Sequence, residues 1–159
     1  MFLRLSYTVF IGILLALFIG VGISAFYQGP KPPETPAILK YPQAFESTPS
    51  ARTIQAQEAQ DRAYQQFDAD NKAYSRNTSM IALAFAVVIL SLGLVVFKNI
   101  TLFSDGFLLG GVLTLIYSII RGFGAQDNAY RFAVTGVGLF VALLLGYLKM
   151  VKASHSEKR

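Results

Sequence analysis

The sequence predicts an all-α membrane protein: a four-transmembrane-helix bundle whose second helix extends into solvent after a proline-rich irregular segment. Three observations support this fold class. Only 14% of the 159 residues are charged, against about 25% in an ordinary soluble domain. Four stretches contain no charged residue, at residues 5–30, 77–97, 106–120 and 132–148. All six prolines fall within residues 30–49.

The lengths of the uncharged stretches set the predicted spans. A helix needs about 20 residues to cross the hydrocarbon core of a bilayer. The third stretch has 15 residues and reaches that length only by including residues 100–103, which places Asp105 near the membrane interface. We predict transmembrane helices within residues 1–28, 100–120 and 130–151, a charged tail at 152–159, and one further span described below.

The first helix has an alternative interpretation as a cleaved signal peptide with Ala25 at the cleavage position. Its apolar stretch over residues 8–23 is at the upper limit for a signal peptide, and Ile23 is larger than the small residue expected there. We therefore prefer an uncleaved helix, with Phe26 and Tyr27 as interfacial anchors.

Residues 29–49 and the helix after them form the predicted extramembrane part. Each proline removes a backbone donor and fixes φ, so we expect an extended, polyproline-like course. Pro49 suits the first position of a helix, and no proline or glycine follows until Gly93. We therefore predict one continuous helix, roughly 70 Å long at 1.5 Å per residue. It covers residues 50–97, with a solvent part at 50–78 and a transmembrane part at 79–97.

The composition excludes several kinds of functional site. The chain has no cysteine, which excludes disulfides, thiolate metal sites and cysteine nucleophiles. The single histidine, His155, lies in the polar tail, so neither a multi-histidine metal site nor a Ser-His-Asp arrangement is expected. The net charge of +5 is scattered and forms no basic, aromatic face. We expect no catalysis, no cofactor, no metal and no nucleic-acid partner.

Small residues recur four positions apart in three of the predicted spans. In lipid, helices associate through close backbone packing, which such stripes permit. The stripes serve packing within the chain or between copies of it, and we favour packing within the chain. The candidate packing residues are Gly12, Ala16, Gly20, Gly110, Thr114, Gly138, Ala142 and Gly146.

Two charged residues beside the spans are candidate interfacial sites. Asp105 is the acidic residue closest to an apolar span, which suggests ion or proton coupling. Because aspartate before glycine is typical of a helix start, we prefer an N-cap role for Asp105. Arg121, with Asp127 and Arg131 in the same predicted loop, suggests binding of an anionic headgroup or a partner. We prefer ordinary flanking charge for these three residues.

Three aromatic residues on the solvent part form a candidate interaction face. Tyr64, Phe67 and Tyr74 lie at i, i+3 and i+10, which we expect to place them on one side of the helix. We prefer that the proline-rich segment covers this face. The alternative is a docking surface for a second protein or a second copy. The covering side chains would be Ile38, Leu39, Tyr41 and Phe45.

Four spans place both termini on one side of the membrane. We predict that this side is the cytoplasm and that the membrane is a prokaryotic cytoplasmic membrane. The raw count of Lys and Arg near the spans opposes this orientation, with six on the cytoplasmic side and eight opposite. The basic residues gathered after Leu148 and the basic start of the first helix support it.

The sequence favours a non-catalytic accessory subunit or scaffold that acts through its extramembrane helix and its bundle. Its expected contacts are the lipid bilayer and a protein partner or a second copy. The alternative is a small channel or carrier with the bundle as the permeation path, although no charged residue lies at the middle of any span. A third, weaker interpretation is a membrane enzyme on lipid substrates, to which Asp105 or Arg121 contributes.

Overall fold

The computed structural model describes residues 2–40, 51–97 and 100–156. No strand occurs in these ranges. Every helix except α2 is long and apolar enough to cross a membrane. The predicted all-α fold with four candidate membrane spans is therefore confirmed. The helices are α1 (Phe2–Phe26), α2 (Ala37–Lys40), α3 (Ala51–Val95), α4 (Thr101–Phe123) and α5 (Asn128–Ser156).

Helix α4 lies at the centre of the bundle, because it contacts α1, α3 and α5. Gly106 of α4 faces Ile11 of α1, and Gly110 faces Leu15. Since residue numbers rise together on the two helices, α1 and α4 run parallel. The starts of α1 and α4 therefore lie at the same end of the bundle.

Helices α3 and α5 run antiparallel to α4. Gly93 near the end of α3 faces Phe107 near the start of α4, whereas Gly122 near the end of α4 faces Ser79. Helix α5 follows α4 after only residues 124–127, and so short a connection returns the chain along its neighbour. The end of α5 therefore lies beside the starts of α1 and α4.

Glycines allow α1 and α4 to approach closely. A Cβ atom added at Gly110 would lie 2.8 Å from Leu15 Cδ2 and 3.2 Å from the carbonyl oxygen of Gly12. A Cβ atom added at Gly12 would lie 2.9 Å from Leu109 Cδ2. Close backbone packing of this kind stabilises helix pairs in lipid, where the hydrophobic effect gives no net attraction between apolar helices.

Two serines join α3 to α4 inside the bundle. Ser79 Oγ donates to the carbonyl oxygen of Ser118 at 2.7 Å, and Ser118 Oγ donates to the carbonyl oxygen of Ser79 at 2.7 Å. Both side chains are fully buried. Near the other end of the pair, Ser104 Oγ donates to the carbonyl oxygen of Gly93 at 2.7 Å. Short polar side chains thus supply interhelical hydrogen bonds without separating the helices.

The predicted packing stripe contacts a neighbouring helix along α4, but only in part along α1 and α5. The α5 contact face follows Val134, Gly138 and Leu145. Rows of residues four apart are inclined to the helix axis, so the α5 stripe leaves this face after Gly138. Four of the candidate packing residues are buried: Gly12, Gly110, Thr114 and Gly138. Ala16 is half-buried and Ala142 is exposed. An added Cβ at Gly20 or Gly146 would meet nothing within 4 Å.

Helix α3 is a single helix of 45 residues, about 68 Å long at 1.5 Å per residue. Half-buried positions recur along its polar half at spacings of three and four residues, so one face of this half is covered by another part of the chain. These positions include Thr53, Ala56, Gln60, Ala63, Phe67 and Tyr74. The placement of this half in solvent stays a prediction.

The segment that covers α3 has half-buried prolines three residues apart. Residues 28–36 have no regular secondary structure, and the single turn of α2 follows them. A polyproline II helix has three residues per turn, so residues three apart share a face. The half-buried residues at this spacing are Pro30, Pro33 and Pro36. Leu39 is also half-buried but lies in the α2 turn. We call residues 28–40 the strap.

The strap runs antiparallel to α3. A Cβ atom added at Gly29 would lie 3.1 Å from the Tyr74 ring, and Gln60 Nε2 donates to Thr35 Oγ1 at 3.2 Å. The six steps from residue 29 to residue 35 span about 19 Å as polyproline II, and the fourteen steps from residue 60 to residue 74 span about 21 Å as helix. The two lengths agree, so the strap lies extended along α3.

The α2 turn, Ala37–Lys40, departs from the predicted extended course. Of the four predicted covering side chains, Leu39 is half-buried and Ile38 is exposed. The other two, Tyr41 and Phe45, lie outside the described residues. At the other end of the chain, α5 continues to Ser156, so the first part of the predicted charged tail extends the last helix.

Asp127, which the sequence places in a loop, is the N-cap of α5. Its Oδ1 accepts hydrogen bonds from the backbone N–H groups of Ala129 at 2.9 Å and Tyr130 at 3.3 Å. We expect Asp127→Ala to lower the free energy of unfolding by about 1 kcal/mol and Asp127→Ser to be nearly neutral. Chemical denaturation in detergent measures both variants, and equal losses for Ala and Ser would contradict the capping role.

Candidate functional site

Four helices meet around a group of tyrosines at the end of the bundle where α1 ends. Tyrosine is enriched at membrane–water interfaces because its ring is apolar and its hydroxyl is polar. Each of these tyrosines lies within three residues of an end of an uncharged stretch. The interfacial cluster comprises Tyr27 directly after α1, Tyr74 and Asn77 from α3, Tyr117 and Arg121 from α4, and Tyr130 from α5.

Tyr27 and Tyr74 join α1 and the start of the strap to α3. Their rings are stacked, with centroids 5.2 Å apart and planes 15° apart. Tyr74 Oη donates to the carbonyl oxygen of Tyr27 at 3.2 Å, and Asn77 Nδ2 donates to Tyr27 Oη at 3.0 Å. A stacked pair contributes about 0.5–1.5 kcal/mol beyond the area it buries, so this pair holds α3 against the point where the chain leaves α1.

Arg121 extends the cluster to α4. Its Nε donates to Tyr117 Oη at 3.3 Å. The guanidinium carbon lies 5.5 Å from the ring centroid of Tyr74 and 5.9 Å from that of Tyr117. Both distances fall within the range for cation–π attraction, which contributes about 0.5–1 kcal/mol at exposed sites. Arg121 therefore packs between two aromatic side chains, within α4 and not in the predicted loop.

Helix α5 is attached to the same region through its first turn. Tyr130 Oη donates to the carbonyl oxygen of Arg76 in α3 at 3.0 Å. The Arg131 guanidinium donates through Nη2 to the carbonyl oxygen of Phe123 at 2.8 Å and lies 5.5 Å from the Phe123 ring centroid. The interfacial cluster thus connects all four candidate spans at the level where the polar half of α3 meets its apolar half.

The predicted aromatic face on α3 divides into two parts. At 3.6 residues per turn, Tyr74 lies about 20° around the helix from Phe67, whereas Tyr64 lies about 60° from Phe67 on the other side. Tyr74 is half-buried in the interfacial cluster, and Phe67 is half-buried. Tyr64 remains 41% exposed. Phe67 and Tyr74 therefore face the chain itself, and Tyr64 points away from it.

The predicted N-cap role of Asp105 is wrong. Helix α4 begins at Thr101, its N-cap is Ile100 without a side-chain capping bond, and Asp105 lies in the second turn. The following residue, Gly106, packs against Ile11 inside the same regular helix. Asp105 is half-buried and lines a groove between α1, α4 and α5.

The acidic and histidine side chains in the described residues do not group into a candidate metal site. No group of three His, Asp or Glu side chains that could hold a metal occurs within residues 2–40, 51–97 and 100–156. The buried hydroxyls of Ser79 and Ser118 each donate to a backbone carbonyl group. The chemistry of the interfacial cluster is positioning through stacking and hydrogen bonds.

No family model, curated protein or solved structure matches the chain. Function is therefore inferred from the geometry of the chain itself. Sequence reasoning identified Tyr74 and Arg121 separately but missed their contact, and it missed Tyr117 and Tyr130. The recurrence of tyrosine near the ends of four uncharged stretches is the signal that could have found the interfacial cluster.

Proposed function

We propose that the protein is a non-catalytic accessory subunit or scaffold of a prokaryotic cytoplasmic membrane. Its bundle anchors the polar half of α3, which stands outside the membrane and binds a protein partner. In this arrangement both termini lie in the cytoplasm, and the polar half of α3 stands on the opposite side of the membrane.

The observation that supports the proposal most is the continuity of α3 across the interfacial cluster. Isolated helices in water are marginally stable, so a polar helix outside the membrane needs contacts from elsewhere. The apolar half of α3 is fixed to α4 by the serine pair, and Tyr74 fixes the junction. The strap covers one face of the polar half. Such a helix presents its remaining face in a defined direction.

The uncovered face has the composition of a protein-binding surface more than of a lipid-facing one. Glu58 and Arg62 form an exposed ion pair at 3.7 Å on it, and exposed Ile54 and Tyr64 add apolar area. Aromatic residues are enriched in protein interfaces. The channel or carrier alternative receives less support, since close contacts fill the α3–α4 interface and an added Cβ at Gly111 would lie 2.5 Å from Leu90.

Photocrosslinking in native membranes tests the proposal. A photoreactive phenylalanine at Tyr64 should give one discrete protein adduct, and the full chain should co-purify with a stoichiometric partner of the same mass. The matched control is the same substitution at Tyr147, which is 67% exposed on α5 and should give no such adduct. Absence of both adduct and partner, or ion flux through liposomes that contain the pure protein, would contradict the proposal.

A reporter that is active only outside the cytoplasm tests the orientation. Fused after Arg159, the reporter should be inactive, and inserted in residues 41–49 it should be active. The reverse pattern would overturn the proposed orientation and would place the polar half of α3 in the cytoplasm.

A further inference from the structure

A groove of about 710 Å³ opens between α1, α4 and α5 at the end of the bundle where α1 begins. Both α1 and α5 pack on α4, and the groove lies between them. Its walls are apolar, from residues such as Leu109, Val112 and Leu145, and Gly146 leaves its α5 side open. The volume falls within the roughly 300–1,000 Å³ of small-molecule pockets, and the surrounding medium is lipid. An apolar chain is therefore the natural occupant.

Two charged side chains of opposite sign line the groove, Arg4 from α1 and Asp105 from α4. Arg4 donates through Nη2 to Thr101 Oγ1, and its guanidinium has further N–H donors, five in all. Because Ile11 faces Gly106 on the parallel helix, Asp105 lies about six residues deeper than Arg4. That separation is about 9 Å along the helix axis.

We propose that this groove binds a lysophospholipid, a phospholipid with one acyl chain and an unesterified glycerol hydroxyl. The Arg4 guanidinium binds the phosphate, for which its planar set of donors is suited. Asp105 accepts the hydrogen bond of the glycerol hydroxyl, which lies on the acyl side of the phosphate. The single chain lies between α1, α4 and α5. The proposal is independent of the protein-binding role of α3.

Asp105 is the residue that selects for the unesterified hydroxyl. A carboxylate offers about four lone-pair sites, so it accepts a ligand hydroxyl together with another donor. In a diacyl phospholipid the same oxygen is esterified and has no proton to donate, so this lipid does not form the hydrogen bond to Asp105.

Native mass spectrometry of the detergent-purified full chain tests this recognition with three probes. They are palmitoyl lysophosphatidylethanolamine, its analogue without the glycerol hydroxyl, and dipalmitoyl phosphatidylethanolamine. The first should bind at one copy per chain and about tenfold more tightly than the other two, the effect of one hydrogen bond to a charged group. Equal affinities for the lysophospholipid and its deoxy analogue, or for the diacyl lipid, would overturn the proposal.

Three variants locate the binding. In Asp105→Ala the lysophospholipid and its deoxy analogue should bind equally, and in Arg4→Gln both should lose about tenfold in affinity with their ratio unchanged. Gly146→Leu fills the groove and should abolish one-to-one binding. Gly136→Leu is the matched control, since an added Cβ at either glycine meets nothing within 4 Å but only Gly146 lines the groove. Equal binding by both leucine variants would assign the lipid to the general surface of the bundle.

Discussion

Replacing Gly110 with leucine is expected to lower the free energy of unfolding by about 1–3 kcal/mol, the usual cost of overpacking a well-packed site. The first carbon of any side chain at Gly110 would lie 2.8 Å from Leu15 Cδ2 and 3.2 Å from the carbonyl oxygen of Gly12. Leu15 can change rotamer, but a backbone carbonyl cannot move without moving α1. Denaturant titration of the detergent-solubilised protein, followed by circular dichroism, measures the loss.

Gly20→Leu is the matched control for this prediction, because it adds the same side chain to α1 at a site with no neighbour within 4 Å. Its stability should match that of the unmodified chain, and so should that of Ala142→Leu, which is exposed on α5. If Gly110→Leu were as stable as these two variants, α1 and α4 could not be packed as closely as described.

The second large effect is expected from Tyr74→Ala. This change removes the stacking on Tyr27, the hydrogen bond to the carbonyl oxygen of Tyr27, and one aromatic partner of Arg121. Each contact contributes about 0.5–1.5 kcal/mol. Since neighbouring effects are not additive, we expect a loss of about 2 kcal/mol in the free energy of unfolding.

Two further variants separate the contributions of Tyr74. Tyr74→Phe keeps the ring and loses only the hydroxyl bond, so it should lose about 1 kcal/mol. Tyr64→Ala truncates a tyrosine on the same helix that is 41% exposed, and its stability should be nearly unchanged. A Tyr64→Ala loss equal to that of Tyr74→Ala would mean that the two tyrosines share one buried face, as the sequence alone suggests.

The spans could be predicted from sequence because the bilayer imposes a length on them. The uncharged stretch at residues 77–97 had to be helical in lipid, where every backbone group needs a partner within the helix. The continuity of α3 followed from the absence of proline and glycine between Pro49 and Gly93. These are local properties of the chain, so composition and spacing determine them.

The predicted span at residues 100–120 begins within one residue of α4, but the position and contacts of Asp105 could not be predicted in the same way. Aspartate before glycine is a common helix start, but residues 101–104 also accept helical geometry, and the packing of Gly106 against Ile11 decided between them. That contact joins residues far apart in sequence. Asp105 consequently lies at a groove wall and not at a helix end.

The packing partners of the small-residue stripes could not be predicted from the sequence either. A stripe indicates that a helix can be approached closely, but it does not say which helix approaches or along which line. Gly12 and Gly110 lie at the α1–α4 contact, while Gly146 opens onto a groove and Gly20 has no neighbour within 4 Å. The grouping of the tyrosines is easier to predict than these helix contacts, because the neighbouring ends of antiparallel spans lie at the same membrane interface.

Hydrogen exchange of the backbone amides at residues 57–74 tests the central claim, that the polar half of α3 is a stable helix held by the strap and the interfacial cluster. Exchange read by mass spectrometry should be slow across this whole stretch in the unmodified chain, with the span of α4 as an internal reference. In Tyr74→Ala the same amides should exchange faster while the α4 reference stays protected. Fast exchange throughout residues 57–74 of the unmodified chain would contradict the claim.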